Sequence, residues 1–336
     1  MKVYYSTEHI PAIEKPVVTI GTFDGVHTGH RKILEQLKNE AARIGGETVI
    51  ITFHPHPRKV IVSGQPAIHL INTIDEKIEL LQQNGIDHLF IVPFTDAFSQ
   101  QTPEDYIEKF LIGKFHPHTV IIGYDHRFGK NRQGDYKLLE DYSQRLGFKL
   151  MEISALLIND NTVSSTRIRE AVLKGDTATA NTLLGYDFFF EGTVVDGNKL
   201  GRTLGYPTAN LQVEQEEKLI PGNGIYAVTA EIRSKTLEAG SKKPEVEQIE
   251  SATASYPVPP TSYLLKGMMS IGVRPTIGGT NRVIEVNIFD FAEDIYGKTI
   301  RVYVKHYLRP EVKFNSLDEL KDQLAKDKID TLKVLK

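Results

Sequence analysis

Residues Val17 to His30 read VVTIGTFDGVHTGH. Four strand-forming residues end at Gly21, a turn carrying Asp24 and Gly25 follows, and an amphipathic run begins near Thr28. A strand that passes into a helix through a glycine turn leaves backbone N–H groups and the positive helix end at the strand's C-terminal edge. Parallel α/β sheets bind their ligands at that edge. His27 and His30 are three residues apart, so both face one spot from the first helical turn. Two imidazole N–H donors at that place suit a polyphosphate gathering negative charge, through electrostatic stabilisation alone. One imidazole could instead cap the helix while the other meets solvent, but the preceding strand and glycines favour the phosphate reading. Zinc is disfavoured, because no carboxylate or third histidine lies nearby in sequence to complete a tetrahedron.

The pattern continues outward from this turn. Ile33, Leu34, Leu37, Ala41 and Ile44 share one helical face over Thr28–Ile44, and Gly45-Gly46 stops that helix. Strands are expected at Thr48–Phe53, Leu89–Val92, Thr119–Ile122 and Lys149–Ile153. Helices are expected over Thr73–Asn84, with Thr73 and Glu76 spaced as a capping box, from Thr102-Pro103, and over Tyr136–Leu146. Strands alternating with helices predict a parallel sheet covered on both faces.

After about residue 186 the pattern changes. Ser165–Leu184 reads as two short helices broken near Gly175. Short alternating segments follow at Phe188–Val195, Ile225–Ile232, Met269–Gly272, Val283–Phe291 and Thr299–Val304, separated by glycine and proline turns. They predict a small antiparallel barrel or sandwich, closed by a helix from Ser316 with Glu319 in capping-box spacing. Lys235–Ser262 is rich in Glu, Lys, Ser and Pro and reads as an insertion between two strands.

The chain has 336 residues, a length that suits two domains, and 40% of them are apolar, enough for a sizeable core. A formal net charge of −3 gives no field for polyanions, so nucleic acid is not an expected partner. There is no cysteine, which excludes disulfides, thiolate nucleophiles and Cys-ligated zinc. The opening residues lack the apolar core of a secretory signal, and no run reaches the ~18 apolar residues of a membrane helix. A cytoplasmic protein with no membrane association is the expectation.

GTFDGVHTGH resembles the signature of the adenylyl- and cytidylyltransferases, with its H-x-G-H hallmark, and Phe23-Asp24 points to the FAD synthetase branch. The second hallmark of those enzymes is similar to Ser164-Ser165-Thr166-Arg167-Ile168-Arg169, where hydroxyls, a helix start and two arginines make a phosphate clamp. The resemblance implies a Rossmann-like nucleotidyltransferase domain with a parallel sheet. In it Gly21, Thr22, Phe23, Asp24, Gly25, Ser164, Ser165, Thr166 and Arg169 would bind the nucleotide, with His27, His30 and Arg167 catalytic. Gly123–Gly129, GYDHRFG, would border the nucleotide and flavin pocket, with Gly123, Asp125 and Arg127 in contact. His126 stands where the family carries an aromatic residue. His54-Pro55-His56-Pro57 is assigned to a loop near the nucleotide.

Gly197–Leu211 reads GNKLGRTLGYPTANL. Its glycines permit a tight loop, Lys199 and Arg202 supply positive charge, and Pro207 stiffens the turn. Thr208 and Asn210 offer two oxygens on the same side of an extended segment, suited to Mg²⁺ with ATP phosphates. No Walker A lysine is present. In Val283–Phe291, Ile284, Val286 and Ile288 share one strand face and Glu285, Asn287 and Phe289 the other. A carboxylate there is either solvated or placed to take a proton from an attacking hydroxyl.

These two segments resemble riboflavin kinase, and the likeness extends through Ser270–Thr276, SIGVRPT, and Tyr307–Leu317. It implies that Thr208 and Asn210 hold Mg²⁺ and ATP, that Gly197, Lys199, Gly201, Arg202 and Pro207 shape that site, and that Glu285 is the general base. Four motifs in order identify the chain as similar to the prokaryotic bifunctional riboflavin kinase/FAD synthetase family. That family implies a nucleotidyltransferase domain over residues 1–186 and a kinase domain over 187–336. It implies ATP as co-substrate, riboflavin and FMN as substrates, and FAD as product. The alternatives are a nucleotidyltransferase acting on another phosphorylated alcohol, or a non-catalytic flavin- or RNA-binding regulator on the same scaffold.

Overall fold

A computed structural model describes residues 1–61, 68–153, 163–197, 200–233, 264–276 and 279–336. Lys199 and the Lys235–Ser262 segment lie outside the described residues. The chain separates into two compact units. Of the described residues, 1–61, 68, 72–153 and 163–164 belong to the first; 69–71, 165–197, 200–233, 264–276 and 279–336 belong to the second.

The first unit is built on six parallel strands: β1 (Lys2–Tyr4), β2 (Val17–Ile20), β3 (Thr48–His54), β4 (His88–Pro93), β5 (Thr119–Gly123) and β6 (Lys149–Ile153). Their order is β1-β4-β3-β2-β5-β6. The chain winds outward from β2 in both directions, so the switch point lies between β2 and β5. Val17 pairs with Thr119 and Thr19 with Ile121, which brings Gly21 and Gly123 to adjacent strand ends.

Alternation sorts the side chains. Val18, Ile20, Val49, Ile51, Phe90, Val92, Val120 and Ile122 share one buried cluster with Tyr106, Ile107, Phe110, Leu111, Leu139 and Tyr142. Helix α1 (Thr28–Ile44) buries Leu34, Leu37 and Ala41 and ends at Gly45, whose φ of 62° is the left-handed geometry that glycine adopts without strain. Helix α2 (Ile74–Gln83) starts with the expected capping box, each partner of Thr73 and Glu76 bonded to the other's backbone. Helix α3 (Tyr136–Leu146) is capped by Asp135. The helix expected from Pro103 does begin there, with Thr102 as cap, but its hydrogen bonding widens to a π-helix over Tyr106–Ile112.

In the second unit, helices α4 (Ser165–Leu173) and α5 (Thr177–Leu184) precede six antiparallel strands: β7 (Phe189–Val195), β8 (Ala209–Gln212), β9 (Gly224–Arg233), β10 (Leu265–Thr276), β11 (Gly279–Ile288) and β12 (Thr299–Arg309). They close as β10-β11-β8-β7-β12-β9, so a barrel rather than a sandwich forms. Closure is visible in the register. Met269 lies opposite both Val286 and Tyr226, and Val302 opposite both Ala230 and Phe190. All six of these side chains are fully buried. Asn181 fixes α5 to the barrel. Its amide donates to the Val304 carbonyl at 3.0 Å, and its Oδ1 accepts the Phe188 N–H at 2.9 Å.

The closing helix α6 (Leu317–Val334) is capped by Ser316, whose side chain accepts the Glu319 N–H. Glu319 reaches back to Asn315 N–H rather than to Ser316, a shifted version of the expected box. Arg309 grips Asp327 of α6 through two bonds, at 2.9 and 2.6 Å, and the Asp327 side chain is 4% exposed. Removing one partner of such a pair leaves the other charge uncompensated, so Asp327→Ala should destabilise the barrel unit by roughly 3 kcal/mol. Chemical denaturation of that variant beside the parent chain measures it, and an unchanged midpoint would mean α6 is held by its apolar contacts alone.

Candidate active sites

The first candidate site is the turn between β2 and α1. The Gly21 N–H continues the ladder to the Ile51 carbonyl at 3.0 Å, and there regular pairing ends. Phe23, Gly25 and Val26 then take φ of 46°, 92° and 36°. Only glycine enters that region freely, so Phe23 and the β-branched Val26 are strained and need anchors. Phe23 and Val26 are buried, at 2% and 0% exposure. The Thr22 carbonyl accepts from Lys77 Nζ at 2.7 Å and Thr52 Oγ1 at 3.2 Å, and Asp24 Oδ1 accepts the Asn72 N–H at 3.2 Å.

This turn delivers His27 to the N-cap of α1, where its Nδ1 accepts the His30 N–H at 3.3 Å. The neutral His27 ring therefore carries its proton on Nε2. Its ring lies 3.6 Å from that of His30 at an angle of 14°, and Phe23 packs on His30 at 5.0 Å. His27 is thus both helix cap and half of a stacked pair. Burial holds the His30 imidazole well below its ordinary pKa, and the neighbouring His27 and Lys77 push the same way. His30 Nδ1 is buried and has no hydrogen-bond partner among the described residues.

Across the switch point, Gly123 ends β5 and accepts the His126 N–H at 3.0 Å. Asp125 is exposed. Arg127 pairs with Asp135 at 3.0 Å, the residue that caps α3. His126 packs at 5.8 Å from Phe128, and burial, with Arg132 secondary, pushes its pKa down to about 4. The His54–Pro57 segment follows β3 at the same sheet edge, with His56 Nδ1 accepting the Arg58 N–H.

The second expected hallmark divides between the units. Ser164 closes the first, and Ser165, Thr166, Arg167 and Arg169 form the first turns of α4 in the second. Thr166 and Arg167 are exposed, while Arg169 donates to the His69 carbonyl at 2.8 Å.

The barrel carries the other site. Glu285 of β11 stands directly opposite Asn210 of β8, and Ser270 of β10 opposite Glu285 on its other side. Residues paired this way share one face of the sheet. Val286 is buried inside the barrel, so this row lies on the outer wall. A Cβ at Gly197 would collide with the Asn210 amide, and one at Gly201 would meet the Tyr206 carbonyl and Thr208 Oγ1. Gly201 and Arg202 belong to a short helical turn, Leu200–Thr203, whose Gly201 carbonyl accepts the Tyr206 N–H at 2.8 Å. The loop thus presses onto Thr208 and Asn210. Hydroxyl, amide oxygen and carboxylate form an all-oxygen donor set that fits Mg²⁺. Among the described residues no group of His, Cys, Asp or Glu would hold a metal by itself. Such an ion would therefore share its coordination with phosphate and water.

Comparison with known proteins agrees with both halves. The FAD synthetase family matches residues 9–167 and the riboflavin kinase family residues 184–335. The bifunctional riboflavin kinase/FMN adenylyltransferase of Haemophilus influenzae is 33% identical over 92% of this chain and 91% of its own. That of Listeria monocytogenes is 34% identical over 94% and 91%. The chain belongs to the bifunctional riboflavin kinase/FMN adenylyltransferase family. The crystal structure of a macrolide-efflux protein from Streptococcus pneumoniae superposes with a TM-score of 0.81 at 29% identity, covering 98% of this chain and 97% of that one. Among the described residues here, no helix is long and apolar enough to cross a membrane.

Two anchors of these sites carry no motif. Lys77 falls on the apolar stripe of α2 with Ile74, Ile78 and Leu81, and a lysine on a buried stripe was the available signal. Asn287 donates to the Pro207 carbonyl at 2.6 Å. The alternation of β11 puts it on the Glu285 face.

The buried imidazoles make the first unit sensitive to acid. His30 and His126 stay neutral when folded but take up protons in the unfolded chain below about pH 6.5. The unfolded state then binds more protons, so stability is full above that pH and falls as pH drops through it. For His126 alone the loss at about pH 5.5 is roughly 1 kcal/mol. Urea unfolding of His126→Phe should therefore lose about 1 kcal/mol less than the parent between about pH 7.5 and 5.5. Equal losses would place the His126 ring in solvent.

Proposed function

We propose that the β2–α1 turn transfers adenylyl groups to FMN and that the β8–β11 wall of the barrel phosphorylates riboflavin. The two activities follow from family membership, and ATP, riboflavin and FMN are their substrates. The assignment of residues rests above all on Glu285 standing opposite Asn210 across two strands. That register joins the carboxylate to the PTAN segment on one face.

In the kinase step, Glu285 accepts the proton of the riboflavin 5′-hydroxyl as its oxygen bonds to the γ-phosphorus of ATP, and the bond to the leaving ADP breaks. Thr208 and Asn210 would hold Mg²⁺, which neutralises phosphate charge when bound. Lys199 and Arg202 add positive charge, and Gly197, Gly201 and Pro207 let the loop approach closely.

In the adenylyl step, a phosphate oxygen of FMN attacks the α-phosphorus of a second ATP and pyrophosphate leaves. That oxygen is already ionised, so no base is required. The Nε2–H of His27, the His30 ring and the N-terminus of α1 stabilise the added charge. Gly21 to Gly25 shape the turn, and Gly123, Asp125 and Arg127 line the loop after β5. Ser164, Ser165, Thr166, Arg167 and Arg169 belong to the same activity. The functional division therefore falls at residue 186, following the motifs, although α4 and α5 pack in the barrel unit. We assign the enzyme to the cytoplasm with small-molecule partners only.

Incubating the protein with riboflavin and Mg-ATP, then separating the flavins by chromatography, tests the pair of activities. Glu285→Ala should stop FMN formation yet still convert supplied FMN to FAD. His30→Ala should make FMN normally while FAD formation falls on the order of 10²–10³-fold. FMN production at the parent rate by Glu285→Ala, or FAD production at that rate by His30→Ala, refutes the corresponding assignment.

A further inference from the structure

The β8–β11 ladder is short. Glu285 pairs with Asn210 and Val286 with Ala209, and no strand pairing continues beyond. The next step would join Asn287 to Thr208, followed by Pro207, which has no N–H to give. At that point the side chain of Asn287 takes over. Its Nδ2 donates to the Pro207 carbonyl at 2.6 Å, and Asn287 is 4% exposed. Thr208 is thereby held from both sides, through the Asn287 bond at Pro207 and the ladder pair at Ala209. Gly201 lies against it, since a Cβ there would come within 3.3 Å of Thr208 Oγ1. The same strand carries Glu285 two residues earlier, on the same face.

We infer that Asn287 is a positioning residue of the kinase site, a clamp that fixes the Thr208 hydroxyl relative to Glu285 by bonding the Pro207 carbonyl. The inference rests on the reading of Thr208, Asn210 and Glu285 given above. Asn287 touches neither phosphate nor metal in this account. It acts by removing the freedom of the peptide that carries Thr208. Without it, the Pro207 carbonyl loses its donor in this part-buried bond, and the loop is free to shift.

Asn287→Ala and Asn287→Asp, made in the full chain, test this. The aspartate keeps the volume but turns an oxygen toward the Pro207 carbonyl, so it should be the worse of the two. The kinase KM for Mg-ATP should rise roughly tenfold, the usual loss for one buried hydrogen bond, with a smaller fall in kcat. Calorimetric titration with Mg-bound, non-hydrolysable ATP should show one of two nucleotide-binding phases weakened by a similar factor and the other unchanged. Conversion of supplied FMN to FAD should match the parent. Raising Mg²⁺ should recover part of the kinase loss, which a merely structural lesion would not allow.

If folded Asn287→Ala keeps its KM and both binding phases within about twofold, the clamp is wrong, because that change is below the loss expected for a buried bond. Should the alanine variant lose its barrel melting transition, Asn287→Thr, whose branched side chain suits a strand but is too short to keep the bond, decides by the same measurements. Thr208→Ala separates the two readings. If it leaves Mg-ATP binding untouched, the metal site itself is misassigned. If it weakens binding while both Asn287 variants do not, only the clamp fails.

Discussion

A strand's hydrogen bonds must go somewhere when the ladder stops, and both candidate sites are built at such a stop. After Gly21 the chain leaves β2, and the Thr22 carbonyl has no strand partner. Lys77 and Thr52 supply donors from a helix and a neighbouring strand. Beyond Ala209 the chain leaves the barrel ladder, and Asn287 supplies the donor to Pro207. A buried carbonyl without a donor costs ~1–3 kcal/mol, enough to rearrange a loop. With the donor in place, irregular backbone becomes as well defined as a strand. This is how flexible-looking glycine segments hold histidines, a hydroxyl and an amide in fixed places.

The two chemistries ask for different electrostatics, and the burial of the side chains differs accordingly. Attack by an ionised phosphate needs charge relief and no base. The stacked His27 and His30 fit that need, since burial keeps His30 neutral and the His27 Nδ1 is occupied as an acceptor, leaving its proton on Nε2. A protonated pair at 3.6 Å would repel itself. Attack by a hydroxyl needs a proton acceptor. Glu285, partly buried on the outer barrel wall, is the carboxylate that stands opposite Asn210 there.

The fold was legible wherever local pattern decides it. Thr28–Ile44, Tyr136–Leu146 and Lys149–Ile153 begin and end where periodicity and glycine stops put them. The edge strand β1 was not expected, because three residues give too short an alternation to read. The widening at Tyr106–Ile112 was also hidden, since a π-helix keeps nearly the same apolar spacing as an α-helix. Motif spacing picked out the histidine pair, the PTAN segment and Glu285, but not their arrangement. That Asn210 faces Glu285 depends on the order of strands around the barrel, which alternation cannot fix. The bonds of Lys77 and Asn287 are not legible for a related reason. Their partners are carbonyls of distant residues, and a carbonyl leaves no mark in the sequence.

Each site must also find positive charge for phosphates, and the folds offer different sources. The first has the N-terminus of a 17-residue helix and a buried ammonium beside it. Aligned peptide dipoles provide about half a charge there, fixed in place. At β8 and β11 the sheet itself supplies little of this, because antiparallel strands carry almost no net dipole. Its charge has to come from flexible basic side chains or from a cation. An oxygen-only donor set beside a closely packed glycine loop suits the cation. A small hard ion tolerates little variation in ligand distance, so the site can use it only if Thr208 and Asn210 are held rigidly. The register of β8 fixes Asn210. Thr208 lies one residue past the ladder's end, held between the Ala209 pair and a side-chain hydrogen bond at Pro207 from the strand that also carries Glu285.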